Sequence, residues 1–148
     1  MDEAVFTSWP VDGSAPALTF YFNRNDSKTY DVSDNLRILE SKFFSNETQK
    51  TLIGYIEITE VFTSYTINEI VNFTFTSSAG GGSISMQDNR IGTKEDDRWA
   101  DNSQYIFRIT DGNGPYQFVQ GYIVIDTDDQ GGRFIKVYFG INKSVPAY

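Results

Sequence analysis

Residues 65–77, YTINEIVNFTFTS, alternate with period two: Ile67, Glu69, Val71, Phe73 and Phe75 fall on one face, Asn68, Ile70, Asn72 and Thr74 on the other. Successive side chains of an extended strand point to opposite faces, so this spacing describes a strand with one apolar face; a helix would scatter the same residues around its circumference. The apolar face carries a single carboxylate, Glu69. Residues 51–64 (TLIGYIEITEVFTS) lie immediately before it and are equally β-rich, so the two pair as a hairpin.

The same pattern recurs along the chain. Residues 83–91 set Ile84, Met86, Asp88 and Arg90 against Ser83, Ser85, Gln87 and Asn89, and residues 17–23 set Leu18, Phe20 and Phe22 against Thr19, Tyr21 and Asn23. A strand at 105–110 meets the turn Asp111-Gly112-Asn113-Gly114, and a further strand starts at Gly121. An acidic hairpin loop at 126–132 leads to a last strand over 133–141, while a weaker signal places a short strand near 36–39, after a turn at 25–27. That makes about eight β segments and no amphipathic helix, hence an all-β barrel or sandwich. Closure into a barrel is favoured because it removes exposed edges. The 148 residues read as one domain, 1–148, with irregular tails at 1–15 and 142–148.

Composition removes many chemistries. The chain has no Cys and no His, so Ser-His-Asp and Cys-His machinery is absent and acid–base work falls to Asp, Glu, Lys, Tyr or water. No metal and no cofactor is expected. The net charge of −8 argues against nucleic acid and against an anionic membrane surface. The first residues, MDEAVF, lack the basic and apolar regions of a secretory signal, and no run approaches the ~18 apolar residues of a spanning helix. The protein is read as cytoplasmic, which leaves the glycosylation-like triplets at Asn46 and Asn72 without meaning. Aromatics make up 16% of residues; they either fill a core or line a cavity for a flat or greasy ligand. Gly80-Gly81-Gly82 is no phosphate loop, since no Gly-Lys-Ser/Thr follows, and the calcium-like start at Asp126 ends on Val137 where a bidentate Glu is required. Residues 94–98 (KEDDR) form a solvated loop or a cover for the barrel mouth.

Two segments carry a family resemblance: Phe73–Gln87, with alternating aromatics and glycines before Ile84-Ser85-Met86-Gln87, and Ile109–Ile123, with Asp111-Gly112-Asn113-Gly114, Tyr116 and Gly121. Together they resemble the allene oxide cyclase and dirigent family of small barrels, a family that also includes barrel cyclases forming spiro-rings by [4+2] cycloaddition. The resemblance implies an eight-stranded antiparallel β-barrel with an interior pocket, and a homodimer or homotrimer. It sets the family's pocket carboxylate at Tyr21, its pocket Cys at Ile56, a pocket Phe at Ile67 and a pocket Tyr at Arg90. It also turns Gly54, Ile56, Ile58 and Glu60 inward, together with the Ile67–Phe75 and Ile84–Arg90 faces.

Three residues are candidates for chemistry. Arg90, on an inward face, can donate to a carbonyl, enolate or carboxylate, or else pair structurally with Glu69. Desolvation of Glu69 on its apolar face suits it to acid–base work. Tyr21 takes the family's carboxylate position, where its phenol would orient substrate. Ile56, Glu60, Ile67, Phe73, Met86, Phe107 and Tyr122 are candidate substrate-binding walls, with plain core packing as the alternative for the apolar ones. The expected function is a cofactor-free cyclase or isomerase acting on a hydrophobic, polyene-like biosynthetic intermediate, in the form of an intramolecular [4+2] cyclisation. The alternatives are a non-catalytic dirigent- or lipocalin-like binding barrel, or an allene-oxide-type cyclase.

Overall fold

The computed structural model describes residues 15–94 and 99–141. Its strands are β1 (Leu18–Asn23), β2 (Lys28–Ser33), β3 (Leu36–Phe44), β4 (Leu52–Phe62), β5 (Thr66–Phe75), β6 (Ser83–Ile91), β7 (Gln104–Asn113), β8 (Val119–Thr127) and β9 (Gly132–Ile141). From β3 to β9 each strand pairs antiparallel with the next, β1 adds to β9, and β1 returns to β3 through Tyr21 opposite Phe44. The result is a closed eight-stranded antiparallel barrel with β2 as an additional strand. No helix among the described residues is long and apolar enough to cross a membrane.

The barrel closes at an irregular seam. β1 has one paired position on β3, after which a 3-10 turn over Arg24–Asp26 carries the chain sideways and β2 takes over, starting with Lys28 opposite Glu40. Asn23 caps that turn, its side-chain oxygen accepting from the Asn25 amide at 2.9 Å. On the edge away from β4, residues 41–43 of β3 therefore face the turn rather than a strand.

Alternation decides what faces the lumen. Ile67, Glu69, Val71, Phe73 and Phe75 are all buried, as are Ile56, Ile58, Glu60 and Phe62 on β4. Ile56, Ile58, Val71, Phe73 and Phe75 belong to one contiguous cluster with residues from all eight barrel strands, as an eight-stranded barrel just wide enough for its own side chains allows. Its aromatic end is built from Phe20, Phe43, Phe73 and Phe75, with Phe20 and Phe43 4.4 Å apart and Phe43 and Phe75 5.4 Å apart. Gly54 makes that packing possible: a Cβ there would lie 2.1 Å from the Phe43 ring and 2.3 Å from the Thr74 carbonyl oxygen.

Two strands depart from the expectation. β2 was hidden because every one of its residues is exposed, so no face is selected for apolarity. The turn expected at Asp111–Gly114 moves: after a bulge between Ser85 and Met86, β6 pairs with Asp111, Gly112 and Asn113, and the chain turns at Gly114–Tyr116 instead. Ladder pairing outweighs local turn preference there. Residues 1–14 of the candidate tail at 1–15, the candidate tail at 142–148, and residues 95–98 of the candidate mouth cover lie outside the described residues.

Candidate functional site

β4, β6 and β8 end, and β5, β7 and β9 begin, at one rim of the barrel. Charge collects on the inner wall at this end. Register places Arg37 opposite Glu60, Glu60 opposite Glu69, and Glu69 opposite Asp88, one row across four neighbouring strands. Arg90 follows two residues beyond Asp88, on the same face of β6. Its guanidinium bonds the Glu69 carboxylate directly, and lies 3.9 Å from Glu60 and 3.8 Å from Asp88. Arg37 Nε donates to Glu60 Oε1 at 2.7 Å and Arg37 Nη1 donates to the Lys94 carbonyl at 3.1 Å, while the guanidinium carbon sits 4.9 Å over the Phe62 ring.

Glu60 is 0% exposed and Glu69 1% exposed. Burying a carboxylate costs several kcal/mol unless it is paired, and like charges directly opposite across strands repel. The row is tolerable because Arg90 reaches both acids and Arg37 holds Glu60 from the other side. Chemically, it offers a fork-shaped donor in Arg90 and two carboxylates out of water. Among the described residues no acidic group has the geometry to hold a metal.

Three of the residues singled out from sequence meet here: Arg90, Glu69 and Glu60. Ile67 lies beside them, opposite Arg90 on one side and Phe62 on the other. Ile56, Phe73, Met86 and Phe107 are part of the packed core cluster further in. Arg37 escaped the sequence reading because β3 was read too short; extending the alternation of Leu39, Ser41 and Phe43 backwards puts Arg37 on the inner face.

Tyr21 and Tyr122 correct the expectation that they border the lumen, for both point outward. On β1 the inward positions are Phe20 and Phe22, so Tyr21 has the opposite parity; its ring packs 5.0 Å from Phe134 and its hydroxyl accepts from Asn23 Nδ2 at 2.9 Å. On β8 the core takes Ile123 and Ile125, and Tyr122 stacks outside on Tyr138 at 4.9 Å and 13°. Burial, and then the neighbouring Tyr138, push the Tyr122 phenol above its ordinary value.

A second polar group sits at the same rim. Arg133, the second residue of β9, is 1% exposed and donates from Nη1 to the Gly132 carbonyl and from Nη2 to the Trp99 carbonyl, each at 2.9 Å. Burial, with Arg24 adding to it, pulls its pKa below the ordinary guanidinium value. Trp99 is buried against Phe22 and Phe107, with ring centroids 6.0 and 6.3 Å away. The chain beyond it is pinned by Thr127, whose hydroxyl donates to the Ala100 carbonyl at 2.6 Å and accepts from the Ser103 amide at 2.9 Å. Sequence reading saw Trp99 only as an aromatic in a charged loop and passed over Arg133, which borders a glycine turn.

At the closure seam a groove of about 830 Å³ opens on the outer wall. Most of its lining, including Lys28, Lys42 and Tyr55, is outward-facing; Ser41 and Ile56 are inward residues that it reaches through the gap.

No family model and no curated protein matches the chain. Among solved structures, it is similar to a pterocarpan synthase dirigent protein (TM-score 0.57, 13% identity, 84% of this chain and 87% of that one). It is also similar to a pyocyanin demethylase (TM-score 0.55, 13% identity, 83% of this chain and 98% of that one). The fold is thus a dirigent-like β-barrel.

Proposed function

We propose that this barrel is a cofactor-free cyclase or isomerase for a hydrophobic, polyene-like intermediate that carries a conjugated carbonyl, acting by intramolecular [4+2] cyclisation. The observation that carries this reading is the buried row centred on Arg90. Structure alone gives little reason to sink Glu60 and Glu69 in an apolar wall, since well-packed apolar residues usually serve stability as well or better. A guanidinium fixed by buried acids is oriented before substrate arrives, and such a preorganised donor stabilises charge developing on a carbonyl oxygen. A substrate held at this rim with its reacting ends together would meet a barrier lower by several kcal/mol. One structural neighbour is named a pterocarpan synthase dirigent protein and the other a pyocyanin demethylase, which is compatible with a ligand-handling barrel.

The test uses linear trienes bearing an activated carbonyl dienophile, with product followed by chromatography. Wild-type protein should accelerate cyclisation over buffer, and Arg90→Lys, which keeps the charge but loses the planar fork, should cut that rate about 100-fold. If the wild type gives no acceleration with any triene, the cyclase reading is wrong.

A non-catalytic binding barrel is the second reading. It is favoured by the way Arg90 and Arg37 pair with Glu60 and Glu69 over an interior filled with its own aromatics. Under it the same trienes bind, and the rate stays at the buffer value.

A further inference from the structure

Trp99 combines features that a merely structural tryptophan does not need. It lies in a loop beside exposed Asp101 and Asn102, yet is itself 3% exposed and belongs to the core cluster. Its buried indole N–H has no hydrogen-bond partner among the described residues. A buried donor left unmade costs roughly 1–3 kcal/mol, so the ring occupies its place at a disadvantage.

Arg133 is similarly incomplete. Its guanidinium is held by two main-chain carbonyls, one of them Trp99's own. The carboxylate of Asp101 is 3.7 Å away and is shared with Arg24 at the same distance. Asp128 also acts on Arg133, but its Oδ1 already accepts from the Gln130 and Gly132 amides. No carboxylate among the described residues makes a close hydrogen bond to this buried cation, where a charge-assisted fork would be much stronger than a bond to a neutral carbonyl.

We propose that the space filled by Trp99 is a ligand subsite, and that its ligand is a flat aromatic carboxylate or aryl carbonyl compound. The ligand's ring would take the place of the indole between Phe22 and Phe107. Its oxygen would take the place of the Trp99 carbonyl on Arg133. The inference rests on the small-molecule-binding reading and adds to it the class of ligand and the residue that recognises it. Because Trp99 competes for the same space, it lowers the apparent affinity by the fraction of molecules in which the subsite is vacated.

Calorimetric titration of 2-naphthoate into the full-length protein tests the assignment. Trp99→Ala should bind it about tenfold or more tighter than wild type. Trp99→Phe, which retains a ring in the core, should gain affinity in the same direction by less. On Trp99→Ala, 2-naphthoate should exceed 2-naphthamide, and 2-naphthylmethylammonium should be weakest, by about tenfold or more. Equal affinity of wild type and both variants for 2-naphthoate would overturn Trp99 as the occupant. Tight binding with no preference among the three head groups would overturn Arg133 while leaving the small-molecule reading intact. Binding of none of the three by any form would remove both.

Discussion

Arg90 is the residue on which the interior charges depend. Among the described residues it bonds Glu69 directly and lies 3.9 Å from Glu60. Arg90→Ala should therefore lower the free energy of unfolding by about 3–5 kcal/mol, as removing one partner of a buried pair does. Urea denaturation measures this. Exchanging Arg90 for Met together with Glu69 for Gln should recover much of the loss, and a cost below about 1 kcal/mol for Arg90→Ala would mean that water reaches the row. Glu69 and Arg90 were legible in sequence because each interrupts an alternating stretch at an inward position. Tyr21 was misplaced because its assignment came from a family pattern, whereas its own neighbours, Phe20 and Phe22, already claimed the inner face. Arg133 was legible as the start of the last strand but not as an inward residue, since only the pairing of Phe22 with Arg133 turns it inward.

Among the elements, β4 shows how one small residue fixes packing. Gly54 lets Phe43 cross the strand, and the added Cβ of Gly54→Ala would meet backbone as well as ring. Overpacking of this kind costs about 1–3 kcal/mol. Thermal unfolding should show it, and Phe43→Leu in the Gly54→Ala background should relieve part of it by vacating the ring's position while leaving the Thr74 carbonyl contact. Strands with a buried face were read to within a few residues, as with β5 and β6. β2 lacked any such signal, and the length of β7 depended on its register with β6, which shifts at Thr110. Periodicity reports burial, so it is silent for a strand that buries nothing and cannot report a register set elsewhere.

For the whole molecule, the weak point of the wall is its seam. One paired position joins β1 to β3, whereas β4 and β5 share nine. Alternation from Ser45, whose amide donates to Thr51, turns the Lys42 amide to the seam, so it should exchange with solvent deuterium faster than those of Ile56–Ile58, through opening of the seam without global unfolding. Equal protection at the two places would mean that the 3-10 turn seals the wall as well as a strand does. Barrel closure was legible as a preference for a fold without edges. The charged rim was only half legible: its β4–β6 side follows from alternation in one hairpin series, while its Arg133 side appears only once the last strand has come round to the first.

The four strands bearing Arg37, Glu60, Glu69 and Asp88 are consecutive hairpins, so their ion pairs can assemble early, in a sheet still wetted on both sides. Sealing the lumen needs β1 to dock against β9, the barrel strand earliest in chain order against the one latest in it. The acids are therefore dehydrated only once β9 has been made, by a step that joins the two ends of the barrel. Until then the half-built sheet keeps its charges in water, and they help to hold it apart from its neighbours on the polysome.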